Sequence, residues 1–74
     1  MKIPLLSSRE LFSILRKLGF ELVHQEGSHA FFRHPDGRTT LVPVHPREDI
    51  DRGLLNKIIK KDLQMERKEF LRYS

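Results

Sequence analysis

Four histidines, His24, His29, His34 and His45, are the side chains of this 74-residue chain that exchange protons near neutral pH, and no cysteine is present to act as a nucleophile. Acid–base chemistry at an imidazole is therefore the chemistry to look for. His29 stands out by position, because it follows the turn sequence Gly27-Ser28 at the start of an apolar run. A group placed there is held by a sheet yet lies near its solvent edge, which suits a preorganised proton donor or acceptor. RNA is a substrate that asks for little more. A base takes the ribose 2′-OH proton, the freed oxygen attacks the adjacent phosphorus, and cationic donors stabilise the charge that develops. Arg33, Arg38, Arg47, Arg52, Lys57, Lys60 and Lys61 supply candidate cations, and Ser28 adds a hydroxyl beside His29. The net charge of +4 and a pI of 9.9 create a field that draws phosphate backbones.

Other chemistries lack their residues. The chain has no phosphate-binding glycine loop, no Gly-x-Ser-x-Gly elbow and no aromatic set of the RNA-recognition-motif type. His24 and His29 with a carboxylate such as Glu26 are the nearest approach to a metal site, but none of the spacings that mark zinc is present. No cofactor is expected. The absence of cysteine also removes a disulfide framework and fits a reducing compartment. Near the N-terminus, Ile3, Pro4, Leu5 and Leu6 form an apolar run too short for a signal-peptide core or a membrane span. A cytoplasmic protein with no membrane partner is expected.

The elements that must position His29 can be read from local pattern. Residues 1–74 are expected to make one domain around one modest core, given a 38% hydrophobic and 32% charged composition. Ser7 followed by Glu10 is a capping box, with Leu6 and Leu11 as its hydrophobic staple, and Gly19 is a left-handed cap. Between them, Leu11, Phe12, Leu15 and Leu18 recur at helical spacing, so a helix is predicted from Ser8 to Leu18. Turn chemistry at Glu26-Gly27 and at Pro35-Asp36-Gly37 then divides the chain into three strands, Phe20 to Gln25, Ser28 to His34 and Arg38 to Val44. His45-Pro46-Arg47-Glu48 is a loop. Asp51 caps a second helix, about Arg52 to Asp62, whose apolar stripe is Leu54, Leu55, Ile58, Ile59 and Leu63. A short third helix docking Phe70 closes the chain. The fold class is α+β, with a three-stranded antiparallel sheet covered by helices on one face.

With Glu26-Gly27 as the two-residue turn, His24 pairs with His29 and Leu22 with Phe31. The covered face then collects Phe20, Leu22, Phe31 and Leu41, and Phe31 and Leu15 belong to the core. His24, His29 and Pro43 lie at the end of that covered face, with room for a shallow pocket. A slip of one residue would move His29 to the open face.

The ordered set Gly19-Phe20, Gly27-Ser28-His29, His34-Pro35-Asp36-Gly37-Arg38, Val42-Pro43-Val44-His45 and Gly53-Leu54-Leu55 with Ile58 or Ile59 resembles the HicA family across almost the whole chain. The resemblance implies a fold like that of double-stranded-RNA-binding domains, α-β-β-β-α, and mRNA interferase activity as the toxin of a toxin–antitoxin module. It also implies a catalytic histidine, which falls on His29 through Gly27-Ser28-His29, with Ser28, Arg33, Arg38, Arg52, Lys57, Lys60 and Lys61 as the RNA-binding candidates. Ala30 departs from the many members that carry a second histidine or a bulkier residue there. The implied partners are mRNA and a HicB-type antitoxin that covers the active site, in a homo- or hetero-oligomer. A noncatalytic RNA-binding module of the same fold is the alternative, and a degenerate member kept for protein interaction is a third reading.

Overall fold

Ser7 starts the first helix as its spacing predicts: its hydroxyl accepts the Glu10 N–H at 3.1 Å while the Glu10 carboxylate accepts the Ser7 N–H at 3.0 Å. The helix, α1, spans Ser8–Leu18 and buries Leu11, Ile14 and Leu15. It ends at Gly19 with φ 102°, where a Cβ would come within 2.9 Å of His34 Nε2, so both backbone and space call for glycine. The computed structural model describes residues 5–45 and 47–73; Ile3 and Pro4 of the N-terminal apolar run and Pro46 of the predicted loop fall outside them. Among the described residues, no helix is long and apolar enough to cross a membrane.

Three strands follow, β1 (Glu21–Glu26), β2 (His29–Arg33) and β3 (Thr39–Pro43), in one antiparallel sheet of order β1-β2-β3. Phe32 and Thr40 are cross-strand partners, so they share a face. The Phe12 ring of α1 packs edge-on to Phe32 with centroids 4.8 Å apart, and Thr40 donates its hydroxyl to Asp62 at 2.9 Å. Both helical segments therefore cover the same face. The second segment comprises α2 (Arg52–Lys57), capped by the Asp51 carboxylate, and a π-helical turn over Ile58–Asp62 that runs straight on from it. That wide turn puts Ile58, Ile59 and Leu63 into the core together, closing with Leu63 N–H to Ile58 C=O at 2.8 Å. A short helix, α3 (Arg67–Phe70), then docks the fully buried Phe70. This is the α-β-β-β-α arrangement with one helix-covered face, and the short C-terminal helix is present.

The predicted pairing of β1 with β2 is corrected, and with it the faces. The two-residue turn is Gly27-Ser28, not Glu26-Gly27, because Gly27 takes φ 58° at the first central position while Glu26 pairs with His29. A second departure is a bulge between Leu22 and His24, so that Leu22 pairs with Phe32 but His24 with Phe31. The covered residues of the central and third strands are thus Ala30, Phe32, Thr40 and Val42, all buried, and Phe31 and Leu41 belong to the open face. Phe20 had pointed the wrong way. It is buried, but at the corner between α1 and β1, where its N–H bonds Leu15 C=O at 2.8 Å and its ring meets His34, so it reports nothing about the sheet's faces.

The second hairpin has the predicted three-residue loop. His34 N–H bonds Arg38 C=O at 2.8 Å, and Gly37 carries φ 100°. Asp36 organises that loop, accepting the Arg38 N–H at 3.0 Å and the Arg38 guanidinium at 2.7 Å. The Arg38 backbone bond foremost, then its side chain and nearby His34, hold the Asp36 carboxyl below its ordinary value, with desolvation opposing. A carboxyl depressed in the folded state adds stability above its unfolded value of 3.8 and loses it as pH falls through the lower folded value. Asp36→Asn is accordingly expected to lower the melting temperature at pH 7 and to match the parent at pH below this range, as thermal melts across pH would record.

Candidate functional site

His29 lies on the open face of the sheet, at its end, directly after the Gly27-Ser28 turn. The turn is tied to the third strand's exit by Val44 N–H to Ser28 C=O at 2.6 Å, so His29 stands on fixed backbone. Cross-strand pairing lays the open face out in rows. Glu26, His29 and Pro43 form the end row, His24, Phe31 and Leu41 the next, and Glu21, Arg33 and Thr39 the last. His24, Glu26, His29, Phe31 and Leu41 line one shallow depression. Its lining combines two apolar side chains with two imidazoles and a carboxylate. The pocket expected beside His29 therefore exists, but on the solvent side of the sheet.

Within the depression, His24 Nε2 stands 3.4 Å from Glu26 Oε2, both side chains being well exposed. The His29 ring has no hydrogen-bond or ion-pair partner among the described residues. An imidazole with a free nitrogen, a second imidazole with an acidic neighbour and an apolar surface at the level of a stacked base can together bind a nucleotide and move protons. No group of three or more His, Cys, Asp or Glu side chains among the described residues is placed to hold a metal ion.

The other two histidines have local roles. His34 stacks edge-on to Phe20 at 5.1 Å and accepts the Asp36 N–H on Nδ1 at 3.1 Å, which fixes the α1 corner against the second hairpin. The His45 carbonyl accepts the N–H groups of Arg47 and Glu48 in the turn leading to α2.

The cationic candidates are dispersed. Ser28 is exposed beside His29. Arg33 shares the open face but stands four residues along β2, about 13 Å away at strand rise. Arg38 is committed to the fold, donating to Leu63 C=O at 2.6 Å as well as to Asp36, with its guanidinium 5.3 Å from the centre of the Phe20 ring. Arg52, Lys57, Lys60 and Lys61 are exposed on the helical layer, which covers the opposite face from His29. Phe31 and Leu41 are the site residues that the sequence reading placed in the core. The signal for them was the alternation His-Ala-Phe-Phe-Arg in β2, whose small Ala30 marks the crowded face and whose polar ends mark the open one.

Residues 8–64 match the model of a family described as HicA toxin of bacterial toxin-antitoxin. No curated protein was found to match the chain.

Proposed function

The chain belongs to the HicA family, toxins of bacterial toxin–antitoxin systems, and from that premise we propose that it is an mRNA interferase that cleaves RNA by histidine acid–base chemistry without a metal. The observation that carries this reading is the placement of His29: exposed, unpartnered among the described residues and held on a turn at the edge of an apolar depression. His29 serves the 2′-OH attack on the adjacent phosphate, a reaction that needs a proton acceptor and charge stabilisation but no Lewis acid. Phe31 and Leu41 offer the base an apolar surface, with Arg33 on the open face and Ser28 in the exposed turn before His29 as donors for phosphate. The cations of the helical layer add a long-range field that speeds encounter with RNA.

The inhibitory partner in this reading is a HicB-type antitoxin that covers the open face, and the site of action is the cytoplasm, where mRNA is found. Leu41 is 50% exposed and lines the depression beside Phe31, an apolar surface suited to a protein cover. The purified protein is expected to cut a synthetic mRNA in excess chelator and to leave 2′,3′-cyclic phosphate and 5′-hydroxyl ends, as end-labelling would show. RNA that is bound but left intact, with divalent ions or without, would reassign the fold to noncatalytic RNA binding.

A further inference from the structure

We propose that His24 is the general acid of this site, an inference that rests on reading the open face as a ribonuclease centre. Cleavage by the 2′-OH involves two proton transfers. One proton leaves the attacking oxygen and another must reach the departing 5′-oxygen, because an alkoxide is a poor leaving group. A lone imidazole serves only one end of that reaction at a time.

The bulge in β1 brings the second imidazole to the first. Leu22 pairs with Phe32 on the covered side, and in an unbroken strand His24, two residues on, would share that side. The extra residue, Val23, breaks the alternation and turns His24 to the open face opposite Phe31, while Glu26 falls opposite His29. His24 and His29 are thereby diagonal neighbours across the β1–β2 pair. Such positions lie about 7 to 8 Å apart, a span that seats one phosphate between two hydrogen-bonding rings. Both rings line the same depression, with Phe31 and Glu26 on the crossing diagonal.

Charge assigns the roles. Glu26 Oε2 lies 3.4 Å from His24 Nε2, so a carboxylate faces the ring that is to donate the proton and Nδ1 is left for the substrate. The groups facing His24 are Glu26 from its own strand, His29 and Phe31 from β2 and Leu41 from β3, with no cation among the residues lining the depression. The His29 ring makes no hydrogen bond or ion pair among the described residues, the Glu26 carboxylate opposite it being turned to His24, and it acts as the base. In the balanced step, neutral His29 takes the 2′-OH proton and the O2′–P bond forms. The P–O5′ bond breaks with its electron pair going to O5′, and O5′ takes the proton of His24. The products are a 2′,3′-cyclic phosphate and a 5′-hydroxyl, and proton exchange with water restores both rings.

The test compares two oligoribonucleotides that share a sequence cut by the wild-type protein. In one, sulfur replaces the bridging 5′-oxygen of the scissile linkage, so that a thiolate departs without needing a proton. His24→Ala is expected to slow the natural linkage about 10²- to 10⁴-fold and to cut the sulfur linkage within about tenfold of wild type. His29→Ala should be slow on both, and His24→Gln should repeat the split seen for alanine. Equal slowing of both linkages by His24→Ala, or no slowing of either, would overturn the role of His24 while leaving His29 as the base. A His29→Ala protein that cuts both like wild type would remove His29 as the base and the paired-histidine assignment with it, while cleavage itself would still stand.

Discussion

Replacing His29 with alanine is expected to abolish growth arrest on induction and to reduce RNA cleavage by about 10²- to 10⁴-fold, the usual worth of a positioned proton-transfer group. The fold should not notice the change. His29 is exposed and its ring bonds to nothing among the described residues, so its loss belongs with surface substitutions that shift stability by about 0.5 kcal/mol or less. The combination is diagnostic: an unchanged melting temperature, retained RNA binding in a gel shift, and lost cleavage. Growth arrest that persists in the alanine variant would remove His29 from the mechanism.

The cation arrangement gives the same site a particular salt behaviour. Arg33 is the one arginine or lysine within the three strands, and the exposed lysines of the helical layer lie on the far side of the sheet from His29. On the ribonuclease reading, a single RNA strand crossing the depression is therefore expected to make few direct phosphate contacts with the sheet. Affinity at the site itself should come from base contacts with Phe31 and Leu41, while the helical-layer charge acts mainly on the rate of encounter, which salt screens.

Local signals in the sequence specified the elements well, because each has a short-range cause. The Ser7–Glu10 capping box, Gly19 and the Asp51 cap act within one helical turn, and the bounds of α1 follow from them. The 34–38 hairpin loop was legible for the same reason, since Asp36 bonds its own neighbours. What was not legible was the relation between strands. Glu26-Gly27 and Gly27-Ser28 are both acceptable turn pairs, and choosing between them shifts every β1–β2 partner. The bulge at Val23 then changes which residues of β1 face outward, and no local residue type announces it. His24 and His29 are expected together at the end of the covered face, and the structure places them in neighbouring rows of the open one, beside Phe31 and Leu41. The cations of the second helix fell furthest from expectation. Their spacing along the helix was visible, but which side of the sheet the helix occupies depends on the face that Phe32 and Val42 present.

That face assignment has its own quantitative consequence, carried by two adjacent phenylalanines. Phe32 is fully buried, its ring against Phe12 at 4.8 Å and its strand partner the buried Thr40. Truncating such a side chain removes its transfer free energy and leaves a cavity, so Phe32→Ala is expected to cost about 3 to 5 kcal/mol. A chain of 74 residues has a total stability of about 4 to 11 kcal/mol at the usual value per residue, which makes this loss a large part of the whole. The melting temperature should fall by roughly 12 to 40 °C, with part of the population unfolded at 37 °C. Phe31 is only partly buried and faces outward beside Leu41, so Phe31→Ala should cost about 1 kcal/mol or less in stability. Its effect belongs instead to RNA, where losing a stacking surface weakens binding by about 1 to 3 kcal/mol per base. Measured together by thermal melts and RNA titration, the two variants separate core from site at neighbouring positions. If Phe31→Ala unfolded the protein while Phe32→Ala left it intact, His29 would lie beneath the helices, where no RNA strand could reach it.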